Sequence, residues 1–174
     1  MYKNFFYLLF PLIVCFAACE SRPANEMEDH YKATAVKVFK IFDSGNVDEL
    51  DALIASDVAD NQLDPSVTTK TGLEGVKDMF RYYHRIFPDM KTTIHSIAVA
   101  GDTVFVHATS VGTGSEPFMG MPANQKQTIS SVDILRFSGD KIVEHRGFID
   151  FADMMKMMPP PMPSGTSMMK NMNR

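Results

Sequence analysis

The chain has 174 residues, 45% of them hydrophobic, and a formal net charge of −4. That length supports one domain with a true core, and the absence of any Lys/Arg cluster leaves nucleic-acid binding without an electrostatic basis. Both cysteines, Cys15 and Cys19, sit in the N-terminal region, so the body of the chain has no thiol with which to build a disulfide or a cysteine metal site.

The first element is an uncharged run of 14 residues from Phe5 to Ala18, preceded by Lys3. It is too short to cross a bilayer comfortably and has the length of the apolar part of a secretion signal. It ends in Phe16-Ala17-Ala18-Cys19 and passes at once to polar Glu20-Ser21-Arg22. This resembles the lipobox of bacterial lipoproteins, in which the cysteine is acylated and heads the mature chain. The resemblance implies a signal peptide over residues 1–18 and a polar tether over 19–28. The protein is then exported to the cell envelope and held at the membrane by a lipid on Cys19.

Residues 29–158 read as the folded domain. From Asp29 to Asp43, Tyr31, Ala35, Val38, Phe39 and Phe42 fall three and four apart, which predicts a helix with one buried stripe. Ser44-Gly45-Asn46 stops it, and Asn46 is placed to cap a second short helix with Leu50, Leu53 and Ile54 inside. Thr71 and Glu74 have capping-box spacing and open a third helix. Its buried face is Val76, Met79, Phe80, Tyr83 and Phe87, and core packing is the expected role of Tyr83. Pro88 ends this helix.

After Pro88 the apolar period falls to two. Thr92-Ile94-Ser96 and Val104-Val106-Ala108 read as strands joined by a turn at Ala100-Gly101-Asp102. A glycine-rich loop, GTGSEPFMGMP, leads to a hairpin over Ser130–Asp150. Its expected loop is Ser138-Gly139-Asp140, three residues, which sets Asp133 opposite His145 and Ser131 opposite Gly147. All four then share one face. An Asp opposite a His is either a surface ion pair or the polar floor of a pocket. Phe151–Met158 predicts a short last helix, and the Met/Pro-rich residues 159–174 are expected to be disordered. Helices first and strands afterwards predict an α+β fold: a curved antiparallel sheet packed against three N-terminal helices, with a short C-terminal helix.

In order and spacing, VDELDALIASDVAD, GLEGVKDMF, FPDM, FMGMP and VDILRFSGDKIVEHRG resemble the SnoaL-like polyketide cyclases of the nuclear-transport-factor-2-like superfamily, over about residues 31–158. The resemblance implies a cone-shaped domain with a deep pocket between sheet and helices. It also implies intramolecular aldol condensation without metal or cofactor. The family's acid/base aspartate falls on Gly147 here, so that carboxylate is missing. Its pocket histidine falls on Asp133, a glutamine on Ser131, and an asparagine on Asp60 or Asn61.

Asp133 and His145 are therefore the candidate acid/base pair, since an imidazole beside a carboxylate can move protons near neutral pH. Ser131 and Asp60 or Asn61 are candidate substrate contacts, with Phe118 and Met119 as an apolar lid. Asp150 either stands in for the missing carboxylate or caps the last helix. The expected partner is a small apolar molecule carrying a carbonyl group. The alternative is an envelope lipoprotein that binds such a molecule without reacting it, and exposed sheet surfaces leave room for a homodimer. His30, His84, His95, His107 and His145 show no zinc-binding spacing, and no cofactor motif is present.

Overall fold

The computed structural model describes residues 24–157. The apolar leader, Cys19 and the Met/Pro-rich residues 159–174 lie outside them. Helix α1 (Ala24–Ser44) begins before the expected Asp29. Pro23 precedes it in the sequence and Met27 packs on the core, so the end of the anticipated tether is helical instead. The stripe that α1 buries is Tyr31, Ala35, Val38 and Ile41. Phe39 and Phe42, beside it, are only partly buried because they face a cavity. Gly45, at φ 72, ends the helix and donates its N–H to the Ile41 carbonyl at 2.9 Å.

The second helix is a 3-10 helix, Val47–Ala52, not a regular α-helix, and Asn46 makes no side-chain cap to its backbone. Leu50 is fully buried, and Ile54 already belongs to strand β1 (Ile54–Asp60). Helix α2 (Gly72–Ile86) starts behind Thr71, whose side chain likewise makes no cap bond, so the expected capping box does not form. What fixes this start is Gly72 at φ +62, where an added Cβ would lie 2.3 Å from the Ser56 carbonyl of β1. Only glycine lets the helix begin so close to the strand.

Strands β2 (Lys91–Ala100), β3 (Thr103–Thr113), β4 (Lys126–Ser138) and β5 (Lys141–Ile149) follow, and α3 (Phe151–Met157) closes the described chain. The sheet order is β1-β5-β4-β3-β2. It is antiparallel except where β1 runs parallel to β5, so the sheet is mixed rather than wholly antiparallel. Breaks in register between Ile94 and Ser96, and between Arg136 and Phe137, mark bulges that bend the strands and curve the sheet toward the helices. Val104, Val106, Leu135, Phe137 and Ile142 meet Tyr31, Ala35 and Leu50 in the core, and the Tyr31 and Phe137 rings stack at 4.1 Å. Burying an aliphatic side chain of this size contributes roughly 1.5–3 kcal/mol, which is why the α1 stripe holds the sheet. At the other end, the Asp43 carboxylate accepts the Thr92 N–H at 2.8 Å and ties α1 to β2. No described helix is long and apolar enough to cross a membrane.

The β4–β5 hairpin corrects the expected register. Ser138 pairs with Lys141, so the loop has two residues, with Gly139 at φ 59. The bulge next to it adds a residue on β5. Asp133 therefore lies opposite Gly147, and His145 lies opposite Leu135. The shift is by two positions, an even number, so the four residues keep their common face.

Candidate functional site

Between the concave face of the sheet and helices α1 and α2 is a cavity of about 220 Å³. Most of its wall is apolar, including Phe42, Met79, Phe80, Phe87 and Phe118, while Asp60, Ser131, Asp133 and His145 form a polar patch in it. The volume is below the roughly 300–1,000 Å³ of sites for drug-sized ligands, so it suits a small molecule.

Three strands bring the patch together. Asp60, at the end of β1, is the parallel partner of His145 on β5, and Asp133 comes from β4. His145 Nδ1 lies 3.0 Å from Asp60 Oδ2, and Nε2 lies 3.0 Å from Asp133 Oδ1. The Ser131 hydroxyl donates to Asp133 Oδ2 at 2.8 Å, and the Gln62 N–H donates to Asp60 Oδ1 at 2.7 Å. The two carboxylates are 7% and 15% exposed, so each hydrogen bond acts largely shielded from water.

Burial alone would lower the His145 pKa. The hydrogen bonds that the ring donates to Asp133 and then to Asp60, with the charge of both, outweigh it and raise the value from 6.5 to about 9. At neutral pH the ring is an imidazolium, and both its N–H groups are donated to carboxylates. A ring that already carries both protons does not act as a base.

Gly147 faces the same space. A Cβ there would stand 3.1 Å from Asp133 Oδ1 and 3.3 Å from Gln62 Cδ, while Gln62 Nε2 donates to the Gly147 carbonyl at 2.8 Å. Asp133, directly across the strand pair, has its carboxylate where a side chain on residue 147 would begin.

Comparison with known families then places the chain. The model of the SnoaL-like polyketide cyclases matches residues 33–158. The chain belongs to that family. Among proteins of curated function none matches the sequence. Solved structures with the same fold include TsrD from Streptomyces laurentii, at 18% identity and TM-score 0.65, covering 74% of this chain and 94% of that one. IdmH from Streptomyces antibioticus, a candidate polyketide cyclase, matches at 27% identity and TM-score 0.61, covering 72% and 96%. AclR from Streptomyces galilaeus, a candidate hydroxylase, matches at 21% identity and TM-score 0.61, covering 75% and 96%.

Within this SnoaL-like domain the sequence-derived residues separate clearly. Asp60, Ser131, Asp133, His145, Phe118 and Met119 all line the cavity. Asn61 does not; it is exposed, and its side chain reaches only the His145 carbonyl, at 3.4 Å. Asp60 thus takes the pocket position that was open between the two. Asp150 is also outside the wall. It caps α3, its Oδ1 accepting the Ala152 N–H at 2.7 Å. Phe118 is buried against Phe87 and Tyr83, whereas Met119 is 56% exposed at φ 48. Arg136 and Arg146 both pair with Glu144, at 3.0 and 2.9 Å, as outward charges should.

Three polar wall residues are not evident from the sequence: Gln62, Tyr83 and Ser110. Gln62 follows Asp60 by two, in the turn just past the end of β1, where its N–H is bound by Asp60 Oδ1. Tyr83 was assigned to packing from its helical stripe, yet it also lines the cavity. Among the described residues no group of three or more His, Cys, Asp or Glu is arranged to hold a metal ion.

Proposed function

We propose that the protein is a cofactor-independent acid/base catalyst acting on a small, largely apolar carbonyl compound, in an aldol cyclisation, isomerisation or hydration. The observation that carries this reading is Asp133, a carboxylate held by an imidazolium in an apolar cavity beside Gly147. Asp133 takes a proton from the carbon next to the carbonyl. The C–H bond breaks, an O–H bond forms on the carboxyl group, and the electron pair moves to the carbonyl oxygen as an enolate. His145 keeps Asp133 aimed, and Asp60 anchors the far side of the ring. Return of the proton to carbon completes an isomerisation; in a cyclisation the enolate attacks a second carbonyl, and Asp133 passes its proton to the new alkoxide oxygen.

A simple ketone that fits the cavity, 2-tetralone, tests this in heavy water. The protein should speed deuterium uptake at the carbon next to its carbonyl, followed by NMR. Tight binding of the ketone with no acceleration favours the second reading, a ligand carrier, which the absence of a carboxylate on residue 147 supports.

Location is part of the proposal. The uncharged run and Ala17-Ala18-Cys19 support export and acylation, so the domain works at a membrane surface and meets ligands that partition there. Cells fed radiolabelled palmitate should label the wild-type protein and not Cys19→Ser. Equal labelling of the two would remove the anchor.

A further inference from the structure

An enolate needs a hydrogen-bond donor at its oxygen, and the polar patch has few to spare. Ser131 gives its proton to Asp133, and His145 gives both of its own to Asp60 and Asp133. Thr92 donates its hydroxyl to Asp43, so Ser110, 2.9 Å away, donates to Thr92. Gln62 gives one amide N–H to the Gly147 carbonyl and keeps a second. Tyr83 differs: no hydrogen bond to its hydroxyl is found among the described residues.

We propose that Tyr83 is a further catalytic residue, whose hydroxyl donates a hydrogen bond to the carbonyl oxygen of the ligand and to the negative charge that forms on it. This rests on the reading of the cavity as a site for carbonyl compounds. The side chain lines the cavity wall, on the opposite layer from Asp133. Its ring is fixed on several sides, with centroids 5.6 Å from Tyr82, 5.9 Å from Phe42 and 6.1 Å from Phe118. A donor fixed before the ligand arrives needs no reorganisation when charge develops, which is what makes such a group effective in an apolar site. Burial, and after it the neighbouring Tyr82, Asp64 and Asp60, raises the phenol pKa above its ordinary value, so the hydroxyl keeps its proton at working pH. The layers on either side of a flat ligand then have separate tasks. The sheet removes a proton from carbon, and helix α2 holds the oxygen.

The test uses 2-naphthol, a flat mimic of an enol, and naphthalene, the same rings without oxygen, in titrations of the full protein and of Tyr83→Phe. Wild type should bind 2-naphthol more tightly than naphthalene. Tyr83→Phe should lose roughly three- to tenfold of the 2-naphthol affinity, as for a hydrogen bond to a neutral oxygen, and keep its naphthalene affinity. Unchanged 2-naphthol affinity in Tyr83→Phe overturns the role of Tyr83 and leaves the acid/base reading standing. A wild type that binds neither compound removes the ligand site, and this inference with it. The unaltered protein gives a check that does not depend on the variant folding. The Tyr83 hydroxyl proton should move downfield in NMR on adding 2-naphthol and stay in place on adding naphthalene; no movement with 2-naphthol counts against the donor.

Discussion

Replacing Asp133 by Asn is expected to lower deuterium exchange into 2-tetralone by roughly 10²–10⁴-fold, the usual worth of a positioned general base. The change keeps the size and shape of the side chain. It also keeps an oxygen that can accept from His145 Nε2, now 3.0 Å from Asp133 Oδ1. What it removes is the ability to take a proton. Affinity for the unreactive naphthalene should be close to unchanged, so the loss falls on the rate and not on binding. A residual rate near that of wild type would mean that the base is another group, and Asp60 is the other carboxylate in the cavity wall.

The second large effect is on stability. His145 holds its proton to about pH 9 in the folded protein and to 6.5 as an ordinary histidine. Below 6.5 both states are protonated, and the folded state has the full benefit of the two carboxylate contacts. Between 6.5 and 9 the folded state still binds a proton that the unfolded chain has released, so stability falls as pH rises. Above 9 the folded ring has lost the proton as well, and the contribution is gone. The shift corresponds to about 3 kcal/mol. Urea unfolding followed from pH 6 to 10 should show a decline of this order for wild type. His145→Gln should be less stable at pH 6 by a similar amount and nearly flat over the same window. A wild-type profile that is level from 6.5 to 9 would show that the ring is not charged in the fold.

The parts of this arrangement that were legible in the sequence are those written in local periodicity. The stripes on α1 and α2, the change to period two after Pro88 and the alternation along β4 and β5 are enough to place Ser131, Asp133, His145 and Gly147 on one face. The register was not legible, because a bulge beside Gly139 costs nothing visible in the residue pattern, and whether a loop has two or three residues depends on backbone geometry. Asp60 could be narrowed only to a pair with Asn61, since the choice is made by a parallel pairing with a strand 85 residues away. The charge of His145 was invisible for the same reason: it needs two carboxylates, and only one is on the neighbouring strand in the hairpin. Tyr83 reads as core because the apolar stripe of α2 serves both the packed interior and the cavity wall. The Thr71–Glu74 spacing misled in the other direction. There the close approach of Gly72 to Ser56 sets the start of the helix, and no side-chain cap is needed.

The arrangement has a simple logic. With glycine at residue 147 the space next to His145 is open, and Asp133 fills it from across the strand pair. The carboxylate and the imidazole are thus neighbours in the cavity, Asp133 from β4 and His145 from β5.

The most direct test is an NMR titration of the His145 ring with nitrogen-15 labelling. The charged bridge between Asp60 and Asp133 requires both ring nitrogens to be protonated at pH 7.5 and to titrate together near pH 9. A single neutral tautomer at pH 7.5, with a midpoint at or below 6.5, would contradict it.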